Sequence, residues 1–333
     1  MKYELPEVKI NYEVNKVDGL KFLSPEMKKV IDYQLEHSDG AFDTNVSWED
    51  MRKNYIEERK FWNQDGPKPE KVVEIEIDGP EGKIPIRLYY PNTKEINSSI
   101  VYIHGGGYVV GNNDTHDRIM RKLMDETDSV VVGIDYRLAP EYKFPTQLFE
   151  TVASIEYLHK NGKELGIDQD DISIAGDSGG GNLALAANLF LRDNLNNDYI
   201  KSLMLYYPLL GLKDSRSMRL YGWELDGMRK EDLEAYDNLY MASEEDKINP
   251  YYQLINSDLT YGIPPTYLSC GSLDPLLDDS ILLNDILRKN NIKCELDVVD
   301  GALHAFMHYS LFMEDANTIF VNSGKFYKDR NNQ

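Results

Sequence analysis

From Lys71 to Ile77 apolar and charged side chains alternate, as VVEIEI, and after Gly79-Pro80-Glu81-Gly82 the chain continues IPIRLYY. Two alternating runs across a Gly/Pro turn predict an antiparallel hairpin. Beyond it the pattern changes. Short apolar runs without polar alternation stand at 99–103 (SIVYI), 130–134 (VVVGI), 172–175 (ISIA), 203–207 (LMLYY), 265–270 (PTYLSC) and 294–299 (CELDVV). Such runs suit strands buried on both faces. Helix-length segments lie between them at Asp117–Thr127, Gln147–Asn161, Gly180–Asn194 and Leu276–Asn290. Strands alternating with helices predict an α/β fold, with a mostly parallel sheet of about eight strands between helical layers.

Two stretches break that rhythm. Residues 1–65 read as loop and helix, with Ser24-Pro25-Glu26 as a helix start: Ser at the N-cap, Pro at the first helical position. Residues 211–252 have helical character and no strand, and are too long for a simple loop. Together they are expected to form a helical cap over the carboxyl edge of the sheet. The core is then 66–210 and 253–333.

Composition narrows the picture. Of 333 residues, 41% are hydrophobic and 28% charged, ordinary for a globular enzyme. Acidic residues outnumber basic ones, 57 to 36, leaving a net charge of −21. A field of that sign argues against nucleic acid or an anionic membrane as partner. No run approaches the roughly 20 apolar residues of a spanning helix. The start, MKYELPEVKINYEVN, has no apolar h-region and does not read as a signal peptide. Cys270 and Cys294 are too few for a disulfide framework and sit in strand-like runs, so buried reduced thiols are expected. A cytoplasmic enzyme fits these features.

The chemistry concentrates in four loops. Gly176-Asp177-Ser178-Gly179-Gly180 matches G-x-S-x-G. Alone the match is weak, since about one chain in ten of this length carries one by chance. Its setting, after the strand-like ISIA and before GNLALAANLFL, is the strand–elbow–helix that lifts a serine hydroxyl clear of a sheet and aims the next N–H, that of Gly179, at a developing oxyanion. His104-Gly105-Gly106-Gly107 follows SIVYI, where an HGGG loop supplies further oxyanion donors from its backbone. His104 is expected to brace that loop.

A serine hydroxyl needs a base, and in this arrangement the acid and then the base follow the nucleophile in the chain. Only His304 and His308 lie after Ser178. His304 stands at a loop position after the last strand, and His308 one helical turn later, pointing elsewhere. No HExxH glutamate accompanies the pair, so zinc is not expected. Asp274, in Gly271-Ser272-Leu273-Asp274-Pro275, lies at the carboxyl end of PTYLSC and is the expected acid. Asp278 and Asp279 are placed a turn into the next helix, facing solvent or capping it. Candidate substrate contacts are Tyr108 and Asp177 beside the two loops, and Tyr221, Trp223, Met228 and Tyr240 from the cap, although packing is the commoner role of such residues.

Taken together, HGGGYVVG (104–111), DYRLAPEYKFP (135–145), GDSGGGNLAL (176–185), GSLDPLLDD (271–279) and DGALHAF (300–306) resemble the hormone-sensitive-lipase-like esterases, also called family IV of the bacterial lipolytic enzymes. The resemblance runs from about Leu88 to His308. It implies Ser178, Asp274 and His304 as a triad, Gly105, Gly106 and Gly179 around an oxyanion hole, a cap, and a preference for short acyl esters. Arg137 and Glu141 would be structural. Gly179 stands where the family more often has alanine, and the cap has no residue-by-residue match. Hydrolysis of a small-molecule ester without cofactor or metal is the implied function, and a homodimer through the last strand is a family-based expectation. Two other readings stay open: a peptidase or lactonase with the same triad, and a small-ligand receptor, which in related proteins lacks the histidine.

Overall fold

The computed structural model describes residue 4 and residues 11–38, 40–195 and 199–330. Most of the first ten residues, on which the expectation about a signal peptide and part of the 1–65 segment fall, therefore lie outside the described residues.

Eight strands form one sheet: β1 (Lys71–Gly79), β2 (Gly82–Tyr90), β3 (Asn97–Ile103), β4 (Val130–Ile134), β5 (Ile167–Asp177), β6 (Ile200–Tyr206), β7 (Thr266–Gly271) and β8 (Cys294–Val299), in the order β1-β2-β4-β3-β5-β6-β7-β8. The hairpin β1–β2 is antiparallel and β2 pairs antiparallel with β4, whereas every pair from β4 to β8 is parallel. The apolar runs are explained by burial on both faces. Val101 and Ile103 of β3 join one apolar cluster, while Ile100 and Tyr102 join the other. The first cluster includes α4 (Thr146–Asn161) and α5 (Gly179–Leu195), which pack on each other. The second includes α3 (Asp117–Thr127) and α9 (Glu314–Lys328).

The expected helices appear within a residue or so of their predicted bounds, α8 as Leu277–Lys289. The sequence reading places no helix beyond Asn290, yet α9 closes the α3 face through Ala316, Ile319, Phe320, Ser323 and Tyr327, a 3–4 spacing of buried positions. Near the start, α1 (Pro25–His37) and α2 (Trp48–Trp62) precede the sheet, and Oγ of Ser24 accepts the Met27 N–H as an N-cap should. Residues 211–252 hold α6 (Arg216–Leu220), α7 (Lys230–Tyr240) and short 3₁₀ turns, with no strand.

The order β4-β3-β5 locates the site. From β3 the chain crosses to β4 on one side and then to β5 on the other, so the loops leaving β3 and β5 part at their carboxyl ends. That divergence opens the crevice in which ligands of open α/β sheets bind.

Candidate active site

The elbow lies between β5 and α5. Ser178 holds a left-handed backbone, φ +54°, and its N–H donates to the Tyr206 carbonyl at 2.9 Å. So tight a turn brings Gly180 onto the carbonyls of Ile103 and His104, where a β-carbon would overlap both. The hydroxyl stands at the crevice.

His304, in the loop after β8, meets it. Its Nε2 is 2.8 Å from Ser178 Oγ and its Nδ1 is 2.7 Å from Asp274 Oδ2. Asp274 is fully buried, and its Oδ1 accepts the Leu276 N–H at 2.8 Å. An ionised carboxylate only accepts, so Nδ1 carries a proton and Nε2 presents a lone pair to the serine hydroxyl. Burial opposes charge on this ring, but the carboxylates of Asp274, Asp226 and Asp177 outweigh it and hold the imidazole above its usual pKa. His308 lies apart, its ring against His116 at 4.6 Å, and burial drives its pKa well down.

The glycine loop is anchored from several sides. His104 stacks on Tyr136, centroids 4.2 Å apart, and its Nδ1 lies 2.8 Å from the Gly105 carbonyl. Burial, reinforced by His116, lowers its pKa to about 3, so the ring is neutral and braces the loop. Gly106, at φ +108°, accepts the N–H groups of Val109 and Val110 and closes the turn. Gly106, Gly107 and Gly179 line the cavity above Ser178. Gly105 does not: its N–H donates to Asp177 Oδ1 at 2.9 Å. Gly107, part of the same motif but not singled out from sequence, is turned to the cavity in its place.

Asp177 borders the cavity but is 2% exposed, and it is occupied by protein. Its Oδ1 also accepts the Tyr102 hydroxyl at 2.7 Å, and Oδ2 lies 3.5 Å from His116 Nε2. Burial would raise this carboxyl, but His116, Tyr102 and the Gly105 amide hold it below the usual carboxylate range. Among the described residues, His116, Asp177 and His308 are the one trio with ligand-type atoms within 4.8 Å of one another. Arg59 sets a positive charge near His308, which disfavours a cation there.

A cavity of about 490 Å³ covers the serine. Its walls come from α1 (Met27, Gln34), α2 (Tyr55, Arg59) and the 211–252 stretch (Asp226, Met228, Tyr236). Tyr108 lines it, stacked on the buried Tyr240 with centroids 3.9 Å apart. Tyr221 and Trp223 do not reach it, nor does Tyr240 itself. The Trp223 ring lies over Gly19 and its Nε1 donates to the Val17 carbonyl at 3.0 Å, while the Tyr221 carbonyl accepts from Lys16. Both residues bind the N-terminal segment instead.

One supporting group departs from expectation. Asp279 does not face solvent. It is fully buried and Oδ1 accepts the N–H groups of Leu210 and Gly211 at 2.6 and 3.0 Å, holding the loop after β6. Asp278 accepts the Ser217 N–H at 2.8 Å. Arg137 pairs with buried Glu150, and Glu141 takes both terminal nitrogens of Arg52, a structural role for each. Arg52 also donates to the carbonyls of Val109 and Ala139, both at 2.7 Å, fastening α2 to the glycine loop. Arg59 and Glu58 form a buried pair at 2.7 Å. Nothing in the sequence pattern marked Arg59 or Asp226. Cys270 and Cys294 are buried free thiols. Among the described residues no helix is long and apolar enough to cross a membrane.

Residues 100–308 match a protein family described by its alpha/beta hydrolase fold. The acetyl esterase of Salmonella agona (strain SL483) is 39% identical over 322 residues, covering 95% of this chain and 97% of that protein. The acetyl esterase of Salmonella typhi is 38% identical over the same length and shares. Among solved structures, a hyperthermophilic esterase from the archaeon Pyrobaculum calidifontis superposes with a TM-score of 0.86 at 28% identity, covering 92% of this chain and 98% of that one. A thermostable carboxylesterase cloned from a metagenomic library gives 0.82 at 28% identity, covering 86% and 98%.

Proposed function

The chain belongs to the α/β-hydrolase fold family, in its hormone-sensitive-lipase-like branch, and from that membership we propose that it is a serine carboxylesterase of short-chain acyl esters, with Ser178 as nucleophile, His304 as base and Asp274 as its orienting acid. One observation carries the assignment: the continuous row from Ser178 Oγ through His304 to Asp274 Oδ2, at 2.8 and 2.7 Å.

The cycle is acyl transfer in two steps. Oγ of Ser178 attacks the ester carbonyl as its proton passes to His304 Nε2, and the carbonyl electron pair moves onto oxygen. The N–H groups of Gly106, Gly107 and Gly179, none engaged with Asp177 as that of Gly105 is, are the proposed donors to this oxyanion. The tetrahedral intermediate collapses, the C–O bond to the alcohol breaks, and the alcohol leaves with the proton from His304. Water then enters by the same route and releases the acid.

Residues 1–65 and 211–252 act as the cap, supported by the cavity walls they supply. A homodimer through β8, one of the two edge strands of the sheet, completes the proposal. The sequence also admitted lactones and amides, but acetyl esterases and carboxylesterases among the relatives favour simple esters.

The deciding experiment is a series of p-nitrophenyl acetate, butyrate and palmitate with the wild type and Ser178→Ala. Acetate and butyrate are expected to be cleaved far faster than palmitate, and Ser178→Ala to lose about 10⁶-fold in kcat. Near-normal turnover by folded Ser178→Ala removes the nucleophile assignment, and equal rates along the series remove the short-chain preference.

A further inference from the structure

Asp226 ends the 3₁₀ turn Glu224–Asp226 and lines the cavity together with Leu303, His304 and Ala305. Its two oxygens differ. Oδ1 is fixed, accepting the N–H groups of Trp223 at 2.8 Å and Met228 at 3.1 Å. Oδ2 is buried and has no hydrogen-bond partner. Asp226 as a whole is half-buried, but a carboxylate oxygen withdrawn from water and left unanswered is costly, and such groups gather where a charge is wanted.

The charge that answers it belongs to the base. His304 and Asp274 lie within electrostatic reach of Asp226, as does Lys16 from the N-terminal segment. Lys16 is engaged by the carbonyls of Met218 and Tyr221, with Glu13 and Glu231 also near it. Around His304 the remaining charged or titratable neighbours are Asp274, Asp177, His308 and the Tyr207 ring. Burial first, and Asp274 after it, push the Asp226 carboxyl up to about 7, against its two backbone donors and His304. Near neutrality a large share of the protein therefore carries the anion, and that anion raises the basicity of His304.

We propose that Asp226 is a positioning residue for acyl transfer, a second carboxylate, supplied by the 211–252 stretch, that stabilises the imidazolium forming on His304 as Ser178 gives up its proton. The proposal rests on Ser178, His304 and Asp274 being the triad. Asp226 takes no proton in the step: the Oγ–H bond breaks, Nε2–H forms, and the new positive charge is stabilised by two carboxylates in place of one. Stabilising charge that exists only along the reaction path raises kcat in preference to binding. It also makes the strength of the base depend on the 211–252 stretch that supplies this carboxylate.

The test is the pH dependence of kcat/KM for p-nitrophenyl acetate in the wild type, Asp226→Asn and Asp226→Glu. The Asn variant keeps an oxygen for Trp223 and Met228 but carries no charge. Its acid limb is expected to move to lower pH by about half a unit, the scale of one partly screened charge, with kcat reduced severalfold and KM little changed. Asp226→Glu is expected to return the limb towards the wild-type position. Should Asp226→Asn not fold, Asp226→Ser gives the same readout. A superposable profile in a folded neutral variant, or a loss confined to KM, overturns the proposal. Ser178→Ala in the same assays separates the two readings: if it is inactive while the Asp226 profile is unchanged, the role of Asp226 fails alone, and if it is active the triad fails.

Discussion

The Gly105 N–H donates to Asp177 Oδ1 at 2.9 Å, so the glycine loop after β3 is tied to the residue that precedes the nucleophile. Two loops about 70 positions apart are thereby held in one register, and the Tyr102 hydroxyl adds a second bond to the same oxygen. Asp177→Ala strands both donors and leaves His116 without its carboxylate. We expect a loss of about 3–5 kcal/mol, the range for removing one partner from a buried charged cluster. Denaturant unfolding measures it, and kcat should fall with it because the donors and the serine lose their common anchor. A loss under about 1 kcal/mol, typical of an ordinary surface site, would contradict this role.

Asp274→Asn tests the tautomer of His304. The carboxylate can only accept from Nδ1, whereas an amide can donate to it and place the ring proton on the nitrogen facing Ser178. Turnover is expected to fall about 10⁴-fold with KM nearly unchanged, as for other triads so altered. Steady-state kinetics at neutral pH decide it.

Gly106→Ala tests the oxyanion loop. Position 106 sits at φ +108°, and a β-carbon there would overlap the Val110 carbonyl. The loop must shift, and the donors with it. A loss of about 10²–10³ in kcat is expected, comparable to removing one oxyanion donor.

Gly179→Ala is expected to behave in the opposite way. The backbone there is ordinary, and a β-carbon would meet the Tyr108 ring at 3.3 Å, a distance that a small ring movement relieves. Only the N–H is needed for the proposed role. Alanine also favours the helix by up to about 1 kcal/mol. Thermal melts should show no loss of stability, and acetate hydrolysis should stay within a few-fold of wild type.

Trp223→Ala separates packing from substrate contact. The indole covers Gly19 and donates to the Val17 carbonyl without reaching the cavity. We expect destabilisation of about 2 kcal/mol, within the common range for losing such a contact, and an unchanged ratio of acetate to butyrate hydrolysis. A shifted ratio would restore Trp223 to the substrate wall.

Local patterns carried the features that depend on neighbours in sequence. The apolar runs of β3, β4 and β6 are legible because both faces are buried, and the helix predicted from Asp117 to Thr127 has those bounds in the structure. The elbow was legible because a strand, a G-x-S-x-G turn and a helix are contiguous. What escaped is decided across long separations. The burial of Asp279 depends on the 210–212 loop returning from β6, and the turning of Gly105 away from the cavity depends on Asp177. Trp223 is apolar enough for a pocket, and only its distant partner Val17 shows otherwise. Helix α9 carries its 3–4 periodicity in the sequence, but it follows the last motif and is tied to the fold by its packing on α3, far away in the chain.

The parts proposed to transfer the acyl group all leave carboxyl ends of strands, whereas much of the cavity wall comes from α1, α2 and the 211–252 stretch, none of which contributes a strand. Apart from the carboxylate of Asp226, substrate range is thus separable from chemistry, and both outer segments can be grafted from a homologue onto this sheet as a pair when the donor carries an acid at that position. Arg52 sets the condition on such a chimera. Its grip on Val109 and Ala139 is the strut between α2 and the glycine loop, so a donor segment lacking an equivalent guanidinium would arrive with a new wall and a loosened floor.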